Sequence, residues 1–83
     1  MTPEEILSGV MMCVHKVNPH PDQEIHPESD LFVEKIVDSF GILEMLIFLD
    51  QQFNIKIPAE SLNDDSVKTP TTITTMVTSL LHQ

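Results

Sequence analysis

Apolar residues recur at Ile6, Leu7, Val10, Met11, Val14 and Val17. Those offsets follow the helical period and line one face of an amphipathic helix. Thr2, Pro3 and Glu5 open it with a capping residue, a proline suited to the first helical position and a Thr-x-x-Glu capping box. Asn18-Pro19 ends it. A second stripe, Ile73, Met76, Val77, Leu80 and Leu81, follows Thr69-Pro70, again a cap and then a proline. The six threonines from Thr69 to Thr78 are poor helix formers, so packing has to hold this last helix.

Between these two lies the most apolar segment, which predicts a helix from Asp38-Ser39 to about Phe53. Either Asp38 or Ser39 suits the cap position. With successive residues ~100° apart, Ile42, Met45, Leu46, Leu49 and Phe53 share one arc, assigned to the core. Phe40, Leu43 and Ile47 form a second arc flanking Ser39, with Glu44 and Gln51 beyond it and Phe48 on neither. A small domain has little use for two buried arcs on one helix. The second is therefore either covered by a loop or an exposed docking face.

A long connection from about Pro19 to Val37 carries Pro19, Pro21, Pro27 and several acids. Loops of that length in compact domains are uncommon and often functional. Leu31, Phe32, Ile36 and Val37 are expected to pin it across the helices. Asn54 to Pro58 reads as a turn that buries Ile55 and Ile57, and Ala59 to Asp65 as a short helical turn. The expected fold is all-α: a bundle of three long helices and one short one, in a single domain over residues 1–83.

Composition narrows the function. The chain has 83 residues, 13 Asp and Glu against four Lys, and a formal charge of −9. That balance repels phosphate backbones and anionic lipid surfaces and favours basic protein partners. The N-terminus lacks the charged, apolar pattern of a secretory signal. The stretch from Phe40 to Leu49 is too short for a bilayer, which needs ~20 residues. With one cysteine there is no internal disulfide, and a cytoplasmic monomer is expected.

Most chemical motifs are missing. His15, His20, His26 and His82 form no ligand pair at metal-binding spacing, and read as solvated surface residues. Asp22, Glu24, Glu28, Asp30 and Glu34 lack the ligand alternation, glycine and closing Glu of a calcium loop. Cys13 sits mid-helix with nothing near it to lower its pKa, and reads as a packed side chain. No Ser-His-Asp arrangement is evident, and no enzyme is expected. Ser39 stands apart. It follows the long loop, opens the most apolar helix and adjoins the second arc. A phosphate attached there would meet the free N–H groups and positive dipole end of a helix.

The stretch Leu31-Phe-Val-Glu-Lys-Ile-Val-Asp-Ser-Phe-Gly-Ile-Leu-Glu-Met-Leu, with the following Phe-Leu-Asp-Gln-Gln-Phe-Asn-Ile-Lys-Ile-Pro, closely resembles the acyl/peptidyl carrier protein family. The resemblance rests on Asp38-Ser39-Phe40 at the head of the second helix and extends over nearly the whole chain. It implies a 4′-phosphopantetheine group, transferred from coenzyme A to Ser39 by a phosphopantetheinyl transferase, whose thiol carries an acyl or aminoacyl group as a thioester between enzymes. It further implies that Asp38 lies beside the attachment point and that Phe40, Leu43, Glu44 and Ile47 form the docking surface. Phe40 and Gly41 depart from the Leu and polar residue usual in fatty-acid carriers. The Asp-Ser-x-Gly pattern is more similar to D-alanyl carriers and free-standing carriers of specialised pathways. Those are loaded by an AMP-forming ligase, or served by an acyltransferase, and passed on to a downstream synthase or transferase. The contrasting expectation, from another class, is a small acidic helical adaptor that binds a partner through the apolar face of the same helix.

Overall fold

A computed structural model describes residues 2–18, 20, 22–58 and 65–82. Among these residues the chain forms three α-helices: α1 (Pro3–Val17), α2 (Ser39–Phe53) and α3 (Pro70–Leu81). This is the expected all-α architecture. The short helical turn expected over Ala59 to Asp65 lies outside the described residues, apart from Asp65.

Local chemistry sets each boundary. Thr2 caps α1 through the complete capping box: its hydroxyl accepts from the Glu5 amide at 3.2 Å, and Glu5 accepts from the Thr2 amide at 3.3 Å. The Thr2 amide foremost, and then the Thr2 hydroxyl at 3.1 Å, donate to the Glu5 carboxylate and hold its pKa below the usual value. Asn54 ends α2 in the left-handed conformation, φ 53° and ψ 49°, which its short polar side chain tolerates. Thr69 caps α3, and Thr72 returns the bond to the Thr69 amide at 3.0 Å, a reciprocal box built from two threonines. Three of the remaining threonines are reconciled with the helix by back-bonding, while the Thr71 hydroxyl donates to the Pro27 carbonyl at 3.0 Å. Thr74 donates to the Pro70 carbonyl at 2.8 Å and Thr78 to that of Thr74 at 2.7 Å.

α1 lies centrally and packs against both α2 and α3. The core is built from Ile6, Val10 and Val14 of α1, Met45, Leu49 and Phe53 of α2, and Ile73, Met76 and Val77 of α3. Gly9 permits the close approach of α2, since a Cβ there would lie 2.7 Å from Cζ of Phe53. At the other flank of α2, the Lys16 ammonium sits 5.0 Å from the centre of the Phe48 ring, a cation–π contact between α1 and α2. Ile55 and Ile57, expected to be buried, are half-buried and pack against the core.

The connection before α2 is tied down both by its backbone and by buried side chains, Ile25, Leu31, Ile36 and Val37. The Leu31 amide donates to the Lys68 carbonyl at 2.8 Å, and the Thr71 amide donates to that of Pro27 at 3.0 Å. The loop is thereby bonded to the entrance of α3. Asp30 Oδ1 accepts from the Phe32 and Val33 amides at 3.1 and 2.9 Å, closing a tight turn. Leu31, Ile36 and Val37 are buried as expected. Phe32 is not: it is 38% exposed, because the turn capped by Asp30 points residues 32 to 35 outward.

Lys35 closes that turn with φ 57°, a conformation that costs a side chain with a Cβ roughly 1–2 kcal/mol. Its amide donates to the Phe32 carbonyl at 3.1 Å, so the turn depends on this geometry. Lys35→Gly is expected to stabilise the protein by about 0.5–1 kcal/mol once the extra chain entropy of glycine is deducted. A thermal melt should show a Tm raised by about 2–8 °C. A lowered Tm would show that the lysine stem contributes packing that outweighs the backbone strain.

Candidate functional site at the head of α2

The long connection delivers the chain to α2 through buried Ile36 and Val37, and polarity changes abruptly at Asp38. Asp38 is extended, φ −112° and ψ −175°, and is the N-cap. Its Oδ1 accepts from the Gly41 amide at 2.7 Å, and its carbonyl accepts from the Ile42 amide at 3.0 Å. The choice between Asp38 and Ser39 left open by the sequence is thus decided by the structure. Because the aspartate caps the helix, the serine does not have to.

Ser39 occupies the first helical position and is exposed. Among the described residues its hydroxyl has no hydrogen-bond partner. No acidic residue follows within the first turn of α2, and the carboxylate at this helix end, that of Asp38, is already bonded to the Gly41 amide at 2.7 Å. An accessible hydroxyl at a helix N-terminus fits attachment of a phosphodiester: it can be reached, and the helix dipole favours the added charge while the neighbouring Asp38 carboxylate opposes it.

Gly41 was not assigned a structural part by its position in the sequence. It is buried, and a Cβ there would lie 3.3 Å from Oδ1 of Asp38, 3.7 Å from Cβ of Val37 and 4.0 Å from Cβ of Val17. The missing side chain lets the cap close tightly and seats the head of α2 against the end of α1. The available signal was a glycine inside the first turn of an otherwise strongly apolar helix.

The two arcs of α2 separate by burial. Met45, Leu49 and Phe53 are buried, and Ile42 and Leu46 are half-buried and pack against the core. Phe40, Leu43 and Ile47 are 70, 60 and 56% exposed. Glu44 beside them is exposed too. The long connection, bonded instead to α3, leaves this second arc uncovered. Phe40, Leu43, Glu44 and Ile47 therefore share one accessible face with Ser39 at its upper end.

Cys13, the single cysteine, is buried, and burial pushes its thiol pKa up despite the opposing influence of Lys16. Among the described residues no group of three His, Cys, Asp or Glu side chains converges to hold a metal ion, and no helix is long and apolar enough to cross a membrane.

Fold and site together define a class: a small acidic all-α protein that presents an unengaged serine at the head of a helix beside an apolar face. No family model matches the chain. It is 40% identical over 48 residues to a D-alanyl carrier protein of Bacillus licheniformis, which covers 58% of this chain and 62% of that one. It is 33% identical over 55 residues to a D-alanyl carrier protein of Bacillus velezensis, covering 66% of this chain and 70% of the relative. Against an acyl carrier protein of Acidothermus cellulolyticus it is 29% identical over 73 residues, 88% of this chain and 81% of the other. The chain thus spans just under two thirds of the length of the first of these relatives and more of the other two. It belongs to the carrier protein family that includes the D-alanyl and acyl carrier proteins.

Proposed function

We propose that the chain is an acyl or aminoacyl carrier that bears 4′-phosphopantetheine on Ser39. The observation that carries this is the division of labour at the head of α2. Asp38 caps the helix at 2.7 Å from the Gly41 amide, and the adjacent hydroxyl is left exposed and unbonded. A serine kept only as a cap has its oxygen on a backbone amide. This one is free to become the nucleophile when a phosphopantetheinyl transferase supplies the base. In that step the Ser39 oxygen forms a bond to the phosphorus carrying the pantetheine arm of coenzyme A. The pyrophosphate bond breaks, 3′,5′-ADP leaves, and the hydroxyl proton passes to the transferase. The attached group supplies a thiol on which a carboxylic or amino acid is held as a thioester.

The chain's own part is to present and to be recognised, and it performs no bond chemistry itself. A tether converts encounters between substrate and enzymes into intramolecular ones at raised effective concentration. Phe40, Leu43, Glu44 and Ile47 form the docking surface for the transferase, for an AMP-forming ligase or acyltransferase, and for the downstream synthase or transferase. The Asp-Ser-x-Gly pattern, similar to that of D-alanyl carriers, supports a cargo that is an amino or carboxylic acid activated by such a ligase. The alternative of a small helical adaptor shares the exposed arc but gives no reason for a bare hydroxyl at its head.

The test is incubation with coenzyme A and a broad-specificity phosphopantetheinyl transferase. The intact mass is expected to rise by one phosphopantetheine, and peptide mapping should place it on Ser39. An unchanged mass, with a known carrier loaded in parallel, overturns the proposal in favour of the adaptor.

A further inference from the structure

We infer that Gly41 is a positioning residue for the modification of Ser39: by leaving room for the Asp38 carboxylate to cap α2, it keeps the serine hydroxyl from taking that place. The inference rests on the carrier proposal above and gives a part in it to a buried residue that acts only through its neighbour. Two caps compete at the head of α2. Aspartate and serine are about equally good at the N-cap position, and here they are adjacent. In the cap that forms, Asp38 is extended, its Oδ1 accepts from the Gly41 amide at 2.7 Å and its carbonyl accepts from the Ile42 amide at 3.0 Å. In the competing cap, α2 would begin one residue later. The Ile42 amide would exchange the Asp38 carbonyl for the Ser39 hydroxyl, the bond a serine cap makes to the third helical residue, and the Gly41 amide would lose its partner. Water replaces much of what a hydrogen bond supplies at a helix end, so a small local effect decides between the two.

Gly41 supplies that effect. A Cβ added there would lie 3.3 Å from Oδ1 of Asp38, with Cβ of Val37 at 3.7 Å and Cβ of Val17 at 4.0 Å on its other sides. The two valines stand at ordinary contact distance, and Val37 is buried in the core, so the helix head has no room to retreat. The carboxylate has to give instead, and its bond to the amide of the same residue, 2.7 Å long, has to lengthen. With glycine the Asp38 cap wins, and Ser39 is exposed and unbonded. With alanine the serine oxygen is drawn onto the Ile42 amide in a larger share of molecules. An oxygen so engaged has committed a lone pair and faces the helix rather than the modifying enzyme.

The experiment measures kcat and KM for transfer of phosphopantetheine from coenzyme A by a broad-specificity transferase. The acceptors are the wild type, Gly41→Ala, Asp38→Ala, their double variant and Asp38→Asn, with folding checked by circular dichroism. Gly41→Ala is expected to lower kcat by at least about three-fold and to leave KM within about two-fold, because the surface offered to the enzyme is unchanged and only the availability of the nucleophile falls. In the Asp38→Ala background Gly41→Ala should have no further effect, the coupling expected of two residues that act as a unit. Asp38→Asn keeps a capping oxygen and should restore most of the rate that Asp38→Ala loses. Transfer to Gly41→Ala at the wild-type rate overturns the inference. An equal loss from Gly41→Ala with and without Asp38 also overturns it, since the glycine would then act through packing between α1 and α2. So does an Asp38→Asn variant as slow as Asp38→Ala, which would make charge the cause. A Gly41→Ala chain that does not fold counts against it as well, because loss of one cap leaves the core intact. Failure of the carrier proposal looks different: no transfer to the wild-type protein.

Discussion

Ser39→Ala is expected to abolish phosphopantetheine uptake completely while leaving the protein as stable as before. The first part follows from chemistry, since no other residue at the head of α2 offers a hydroxyl, and a methyl group cannot replace one. The second part follows from the cap. The helix end is satisfied by Asp38, whose oxygen lies 2.7 Å from the Gly41 amide, and the serine hydroxyl has no partner among the described residues to lose. Alanine is also the best helix former. A substitution at such a site stays within about 0.5 kcal/mol, or a Tm change of at most about 4 °C. Asp38→Ala is the matching control. Loss of an N-cap costs about 0.5–2 kcal/mol, which is a drop of roughly 2–16 °C at 4–8 °C per kcal/mol. This variant keeps its hydroxyl, so its intact mass should still rise at long incubation. If Ser39→Ala destabilises as much as Asp38→Ala, the hydroxyl is part of the cap and the division of labour proposed here is wrong.

Leu49→Ala should give the largest loss of stability in α2, and Leu43→Ala almost none. Leu49 is 0% exposed and belongs to the core shared by all three helices. Removing its isobutyl group leaves a cavity among side chains that cannot fully collapse, at a cost of about 2–5 kcal/mol. A core of this size supplies little more than about 3–5 kcal/mol in total, so the variant is expected to lose most of its cooperative unfolding transition. Leu43, 60% exposed on the opposite arc, leaves no cavity. Its replacement should change stability by no more than about 0.5 kcal/mol. Chemical denaturation of both variants, read by circular dichroism, checks the contrast. Equal destabilisation would mean that the outer arc of α2 is packed, and the docking surface would have to be sought elsewhere.

Much of this molecule could be read from residue order because its determinants are local. The boundaries of α1 and α3 follow from Thr2-Pro3 and Thr69-Pro70, where cap and proline act over three or four residues. The three buried faces follow from helical periodicity, which a linear sequence preserves. Even the two arcs of α2 were separable, because the wheel angle of each residue does not depend on what the helix packs against. The suspicion attached to Ser39 came from its neighbours in the chain, a long loop before it and an apolar helix after it.

What local order could not supply were relations across the chain. The cap of α2 was undecided between two adjacent residues equally suited to it. Only the path by which Val37 enters the core turns Asp38 back over Gly41 and leaves Ser39 free. Phe32 was expected inside and stands partly outside; the bond that turns its backbone outward, donated by its own amide to Asp30, is by contrast a local one. Whether the outer arc of α2 was covered depended on where the long connection lies. That was decided by its bonds to Lys68 and Thr71, some forty residues away in sequence. Periodicity and capping are properties of a few consecutive residues, and the sequence alone determined them. Accessibility belongs to the assembled surface, so only the tertiary structure could decide that the hydroxyl of Ser39 and the face beside it are open.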